Sequence, residues 1–242
     1  MTTSCRNCPL RRRALFDPIE SDELDFMQRF KSGELSVDAD TLLMMEGSNS
    51  PQLFTVLSGM GLRYKTLPNG RRQVVNFVFP GDFLGLQAGV MNEMKHSVEA
   101  TTSMTLCVFN RSELWNLFKN HPGRAYDLVW LASLEEHFLG DALTAVGQRD
   151  ALERISWSFH RIYIRMTELG LVTGQGCQLP YRQQDLADAL GLSLVHTNKT
   201  LKKLRDMQVA SWNEGRLTVS DLDRLAELAM VDDHHVETRP LI

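Results

Sequence analysis

The hydrophobic period of the chain changes near residue 111, and that change separates a strand-built part from a helix-built part. Over residues 35–110, apolar and polar residues alternate in short runs: TLLMMEG, QLFTVLSGMGLRYKTL, RRQVVNFVFPGDFLG and HSVEATTSMTLCVFN. Turns at Ser58-Gly59, Pro68-Asn69-Gly70 and Pro80-Gly81 separate them. Period-two alternation marks half-buried strands, and strands at such short intervals predict an antiparallel barrel, sandwich or roll. Beyond residue 111 the apolar spacing becomes three and four, the period of a helix. Helical spacing also covers residues 17–31, ahead of the strands.

A length of 242 residues exceeds the usual one-domain range of about 100 to 200, so two modest domains are expected. With 43% hydrophobic and 23% charged residues the chain can fill ordinary cores, which excludes disordered and collagen-like classes. No apolar run approaches the roughly 18 to 20 residues of a membrane span, and MTTSCRNCPLRRR lacks a signal-peptide core, so a cytoplasmic protein without membrane association is expected. The cysteines Cys5, Cys8, Cys107 and Cys177 are too few for a disulfide scaffold. A net charge of -4 argues against indiscriminate coating of nucleic acid, yet Lys199, Lys202, Lys203 and Arg205 follow one another with no acid before Asp206. A local basic face survives in an acidic chain.

Pro122–Gln148 reads as one long helix, with Pro122 in its first turn. Ala125, Leu128, Ala132, Leu139, Ala142 and Val146 form one seam, interrupted at Glu135, while Leu131, Leu134, Phe138 and Ala145 form a second stripe. Two apolar faces need two partners. A helix sandwiched within one monomer would satisfy this. The preferred reading packs it on its own β domain and on a second copy, with Leu128, Ala132, Leu139, Ala142 and Val146 at the dimer interface.

The C-terminal third adds a helix over 150–169, a turn at Gly174-Gln175-Gly176, short helices over 182–190 and 193–208, and the hairpin SWNEGRLTVS. In RQQDLADALGLSLVHTNKTLKKLR, a small residue at Ala187 permits close crossing, Gly191 permits the positive φ of a tight turn, and Ser193 can cap the second helix. This is a helix-turn-helix pattern, and the hairpin makes it a winged helix. Thr197, Leu201 and Leu204 face inward; Leu194, Val195, His196 and Lys199 are candidates for reading bases. Arg182, Gln183, Ser193, Asn198, Lys202, Lys203 and the wing residue Arg216 complete the candidate DNA contacts, phosphates among them. A polar tail is expected to fray from about residue 232.

The order of a β roll with the PGDFLG turn, a long helix and QQDLADALGLSLVHTNKTLKKL resembles the CRP/FNR superfamily of bacterial transcription regulators, on its FNR/FixK-like side. The resemblance covers nearly the whole chain. It implies an α+β fold: an N-terminal antiparallel β roll of the cyclic-nucleotide-binding jelly-roll kind, a dimerisation helix, and a C-terminal winged helix-turn-helix. The corresponding domains are residues 1–16 (cysteine-bearing tail), 17–120 (sensory β roll), 121–149 (dimer helix), 150–232 (DNA-binding domain) and 233–242 (polar tail). It also implies RNA polymerase as a partner.

In relatives that bind cyclic AMP, a Gly-Glu pair and an Arg-Ser pair follow the PGD turn. Here Gln87 and His96-Ser97 stand in those places, and loss of the bidentate arginine argues against cyclic AMP. In the oxygen-sensing branch an N-terminal cysteine group and a strand cysteine hold an iron-sulfur cluster; Cys5, Cys8 and Cys107 match in context, so an iron-sulfur or other metal site on these three is a candidate. Ala14 stands where a further cysteine is expected, which leaves three thiolates against the usual four. A structural tail without a cofactor is one competing reading, and haem or another small ligand is a third. Periodicity places Cys107 with Glu99, Thr101, Ser103 and Thr105, on the face opposite Val98, Ala100, Thr102, Met104, Leu106 and Val108. On the reading helix the family's glutamate and arginine are replaced by Val195 and Lys199, so the familiar half-site does not carry over.

No HExxH, GxSxG or GxxxxGK[ST] occurs, and His96, His121, His137, His160 and His196 are scattered, with His234-His235 in the polar tail. The expectation is therefore a sequence-specific regulator, not an enzyme. It would bind double-stranded DNA as a homodimer on a pseudo-palindromic operator, with redox responsiveness as a further expectation. The alternative is a β-roll and winged-helix interaction module without specific DNA binding.

Overall fold

The computed structural model describes residues 2–231 and 238–242. Their contacts divide into Met1–Glu136 with Thr238–Ile242, and His137–Glu237. The histidine pair His234-His235 lies outside the described residues.

In the first unit, α1 (Ser21–Phe30) starts later than residue 17 because the backbone is still extended at its N-cap, Glu20. Strands β1 (Lys31–Val37), β2 (Leu42–Met44), β3 (Gln52–Ser58), β4 (Gly61–Thr66), β5 (Arg72–Val78) and β6 (Phe83–Leu84) follow. The short helix α2 (Leu86–Met91) then leads to β7 (Ser97–Ala100) and β8 (Met104–Asn110), and α3 (Leu114–Asn120) closes the run. The strands make two antiparallel sheets, ordered β1-β8-β3-β6 and β2-β7-β4-β5. Phe54, Val56, Leu84, Leu106 and Val108 from the first meet Met44, Val78, Val98 and Ala100 from the second in one core. The turn after β5 needs its glycine: Gly81 has φ +87°, and a Cβ there would sit 2.1 Å from the Phe16 ring.

The predicted single strand through 98–108 is in fact two. Residues 101–103 turn, β7 joins one sheet and β8 the other. Both faces of β8 are therefore covered: Phe26, Met27 and Phe30 of α1, with Leu114 and Leu117 of α3, pack on the outer side of its sheet beside Cys107. The face that looked polar in the sequence is roofed by helices.

The long helix α4 (Pro122–Gln148) has the predicted bounds. Its apolar faces differ from expectation. Leu128 is 1% exposed, packed with Phe26, Met27 and Leu131 in the first unit's core, so it cannot serve a dimer seam. The residues left in water are Tyr126, Val129, Leu139 and Leu143. Ala132 is exposed, whereas Ala142 and Val146 are half-buried. Glu135, the interruption in the sequence seam, has a structural reason: it forms a 2.9 Å ion pair with the buried Arg63 of β4. Asn76 of β5 lies 3.4 Å from both of its carboxylate oxygens.

Residues 238–242 do not fray. Arg239 pairs with Phe16 in a parallel bridge and its guanidinium lies 3.1 Å from Asp82 of the PGDF turn. Leu241 and Ile242 are buried, and Thr55 Oγ1 donates to the Ile242 carbonyl. Pro240, Leu241 and Ile242 supply apolar surface that the roll can bury, which the polar residues before them concealed.

In the second unit, Asp150 caps α5 (Ala151–Glu168) through a capping box with Glu153. The strands β9 (Val172–Thr173), β10 (Gly176–Gln178), β11 (Ala210–Asn213) and β12 (Arg216–Val219) form a sheet ordered β11-β12-β10-β9. Helices α6 (Gln183–Leu190), α7 (Leu194–Asp206) and α8 (Leu222–Ala229) pack with it; α8 escaped the sequence reading. Phe159 of α5, fully buried, meets Trp212 of β11 edge-on at 5.9 Å.

Candidate nucleic-acid interface and thiol pocket

The reading element is built by local rules. Leu186, Ala187 and Leu190 of α6 are buried, Gly191 ends the helix at φ 64°, and Ser193 Oγ accepts from the His196 amide at 3.2 Å to cap α7. On α7 the inward residues are Thr197, Thr200 and Leu204, with Leu201 half-buried, so Thr200 takes part of the place expected of Leu201. Leu194, Val195, His196, Asn198, Lys199, Lys202 and Lys203 are exposed, as is Gln183. The wing turn has Glu214 at φ 49° and Gly215 at φ 71°, with Asn213 paired to Arg216. That is a type I′ hairpin.

Two expected phosphate contacts are engaged within the protein. Arg216 Nη2 donates to the Thr173 and Gly176 carbonyls at 2.9 and 3.2 Å, which draws the guanidinium against β10 rather than out from the wing. Arg182 gives hydrogen bonds of 3.2 and 3.0 Å to Asp185, a carboxylate only 1% exposed, and so fixes the start of α6. Conversely, a polar cleft of about 290 Å³ brings Gln183, Asn198 and Lys202 together with Arg205, Trp212 and Asn213. Arg205, read in the sequence as part of the basic face but left out of the candidate DNA contacts, has a spacing from Asn198 and Lys202 that puts it on the same side of α7.

The N-terminal segment reaches the strand cysteine. Cys5, Cys8 and Cys107 line one apolar cavity of about 40 Å³ with Leu10, Met27, Lys31, Phe109 and Ile242. The segment is tied down by Gln28, which accepts from the Cys5 amide at 2.8 Å, and by an Arg6–Asp25 ion pair. Lys31, its side chain 4% exposed, donates to Glu34 and to the Thr3 carbonyl at 2.6 Å each. Cys177 lies in the other unit, buried in β10.

Burial pushes the Cys107 thiol up to about 11, against the opposing field of Lys31, and burial likewise raises Cys5. Alkylation of Cys107 by iodoacetamide should therefore be slow at pH 8 and rise about tenfold per pH unit toward 11, followed by peptide mass mapping. A neutral-pH rate equal to that of a free cysteine would contradict this burial.

The thiols do not fit a four-thiolate iron-sulfur cluster as they stand. Ala14 is exposed and carries no donor, and the cavity of about 40 Å³ has room for only about three water-sized groups. Among the described residues, no group of three or more His, Cys, Asp or Glu is placed to hold a metal ion. His96 is uncharged at neutral pH: burial, then Arg63 and Lys65, push its pKa down to about 4.

A two-sheet roll, a long helix and a winged helix-turn-helix together give the architecture of a DNA-binding regulator. Residues 34–121 match the cyclic nucleotide-binding domain family and residues 159–228 the Crp-like helix-turn-helix domain family. The transcriptional activatory protein AadR of Rhodopseudomonas palustris is 31% identical over 67% of this chain and 66% of its own. The transcriptional activator protein FnrL of Cereibacter sphaeroides is 27% identical over 93% and 91%. The structure of FixK2 from Bradyrhizobium japonicum superposes with a TM-score of 0.74 at 24% identity, over 83% of this chain and 98% of that one. The chain belongs to the CRP/FNR family of transcription regulators, in its FNR/FixK-like branch. Its function is DNA-binding transcription regulation rather than catalysis. Among the described residues no helix is long and apolar enough to cross a membrane.

Proposed function

We propose that the chain acts in the cytoplasm as a homodimer on a pseudo-palindromic operator, with half-sites about one helical turn apart, and engages RNA polymerase there. The observation that carries this reading is α7: capped by Ser193, seated by Gly191, and presenting Lys199, Lys202 and Lys203 to solvent while its other face is buried. The exposed side chains of α4, Leu139 and Leu143 foremost, supply the dimer contact. The thiol pocket supplies the signal, which couples to DNA affinity through the equilibrium of the whole dimer.

Affinity measured against rising salt tests the DNA reading, since each phosphate neutralised contributes about -0.9 to the log–log slope. Lys202→Ala and Lys203→Ala should each reduce the slope by about one, whereas Lys199→Ala should alter base preference as well. Salt-insensitive binding, or none, would favour an interaction module. Iron and acid-labile sulfide content of protein purified without oxygen tests the cluster expectation for Cys5, Cys8 and Cys107. Stoichiometric iron and sulfide would require the N-terminal segment to open and recruit a fourth donor; an iron-free protein that binds DNA leaves thiol chemistry as the signal.

A further inference from the structure

At 100° per residue, the face of α7 opposite the buried Thr197, Thr200 and Leu204 is centred on Val195, Lys199 and Lys202. Val195 is 75% exposed in the first turn of the helix, with Leu194 beside it at 40%. The fold gains nothing from it there. A β-branched side chain loses rotamer freedom on a helix, and an isopropyl group left in water forgoes its burial.

The position is nevertheless the one that meets base edges when a reading helix enters the major groove. An isopropyl group cannot donate or accept. Set against guanine O6 and N7, adenine N7 and N6, or the cytosine amino group, it would strip water from those groups and leave them unpaired. The thymine C5-methyl is the one apolar feature of the major-groove edge, and methyl against isopropyl leaves nothing polar stranded.

We propose that each operator half-site carries a thymine whose C5-methyl group packs on Val195, so that this chain reads at least one base by apolar contact in place of the hydrogen bond an acidic residue would make. The inference rests on the DNA-binding function and deepens it by assigning part of the recognised sequence. Val195 is a specificity-determining residue, with Lys199 one turn further along the same face.

The test begins with selection of a preferred site by the full-length protein from a pool of random duplexes. Each thymidine of that site is then replaced by deoxyuridine, which removes the methyl and alters no Watson–Crick partner. Replacement in one half-site should weaken binding about fourfold, the factor one buried methyl is worth, and replacement in both about fifteenfold. Val195→Ala should bind the thymidine and deoxyuridine duplexes nearly alike, and 5-methyldeoxycytidine at that position should outbind deoxycytidine for the wild type only. Val195→Glu should move the preference there toward a cytosine amino group. Since Val195 is exposed, these variants keep the fold. The proposal is overturned if no thymidine replacement matters, or if Val195→Ala retains the full discrimination. A pool from which no sequence is enriched would instead remove the DNA-reading function on which the proposal stands.

Discussion

Leu139→Glu combined with Leu143→Glu should yield a monomer by sedimentation and weaken operator binding by about two orders of magnitude or more. Both side chains are largely in water in the isolated chain, Leu139 at 46% and Leu143 at 74% exposure, so the substitutions disturb no core. Across a two-fold seam each glutamate would face its like or an apolar surface, and like charges or unpaired carboxylates at a buried contact are strongly unfavourable. The loss in DNA affinity follows from losing the second reading helix, since linked binding elements gain about 10² to 10⁴ over one alone. Unchanged thermal stability with a persistent dimer would assign the interface to another surface. Leu128→Ala makes the contrast: it should cost about 2 to 5 kcal/mol of folding stability, because Leu128 fills the first unit's core.

Glu34→Ala should destabilise the fold by about 1 to 3 kcal/mol, because it leaves the largely buried Lys31 ammonium with the Thr3 carbonyl but without its carboxylate. Glu34→Ala with Lys31→Met should recover most of that loss, since the cavity around Lys31 is apolar. The pair also sets a pH window. Burial is the largest single influence and works against both charges, but the hydrogen bond and attraction between the two, with the Thr3 amide on Glu34 and the cysteines beside Lys31, together outweigh it, lowering Glu34 below 4.5 and raising Lys31 above 10.5. The Glu34 contribution is complete above pH 4.5 and is lost as pH falls through its lower folded value. That of Lys31 is complete below pH 10.5 and is lost as pH rises through its higher folded value. Chemical denaturation across pH should show the acid limb flattened in Glu34→Ala. An unchanged acid limb would show that the pair does not couple to folding.

Much of the reading domain was legible in the residues because its rules are local. Gly191 at a positive φ, Ser193 bonded to the His196 amide and the two-residue wing turn involve groups within three positions of one another. Charge is different. Arg216 and Lys199 look equally available in the sequence, yet a strand partner takes up the first and solvent receives the second.

The sequence by itself determined the kinds of element and their order: a strand-built part at period two, one long helix over Pro122–Gln148, then a capped helix pair and a hairpin. It also determined that the long helix carries more than one apolar face. The tertiary structure alone decided which face is covered by its own domain, placing Leu128 inside and Leu143 in water. It brought Cys5 and Cys8 to Cys107, buried Arg63 against Glu135, and seated Leu241 and Ile242 beneath the thiols. Backbone period is a property of neighbours in sequence, so it can be read directly. Which of two similar faces is buried depends on surfaces supplied by residues as far apart as Phe26 and Ile242, and no local pattern records that choice.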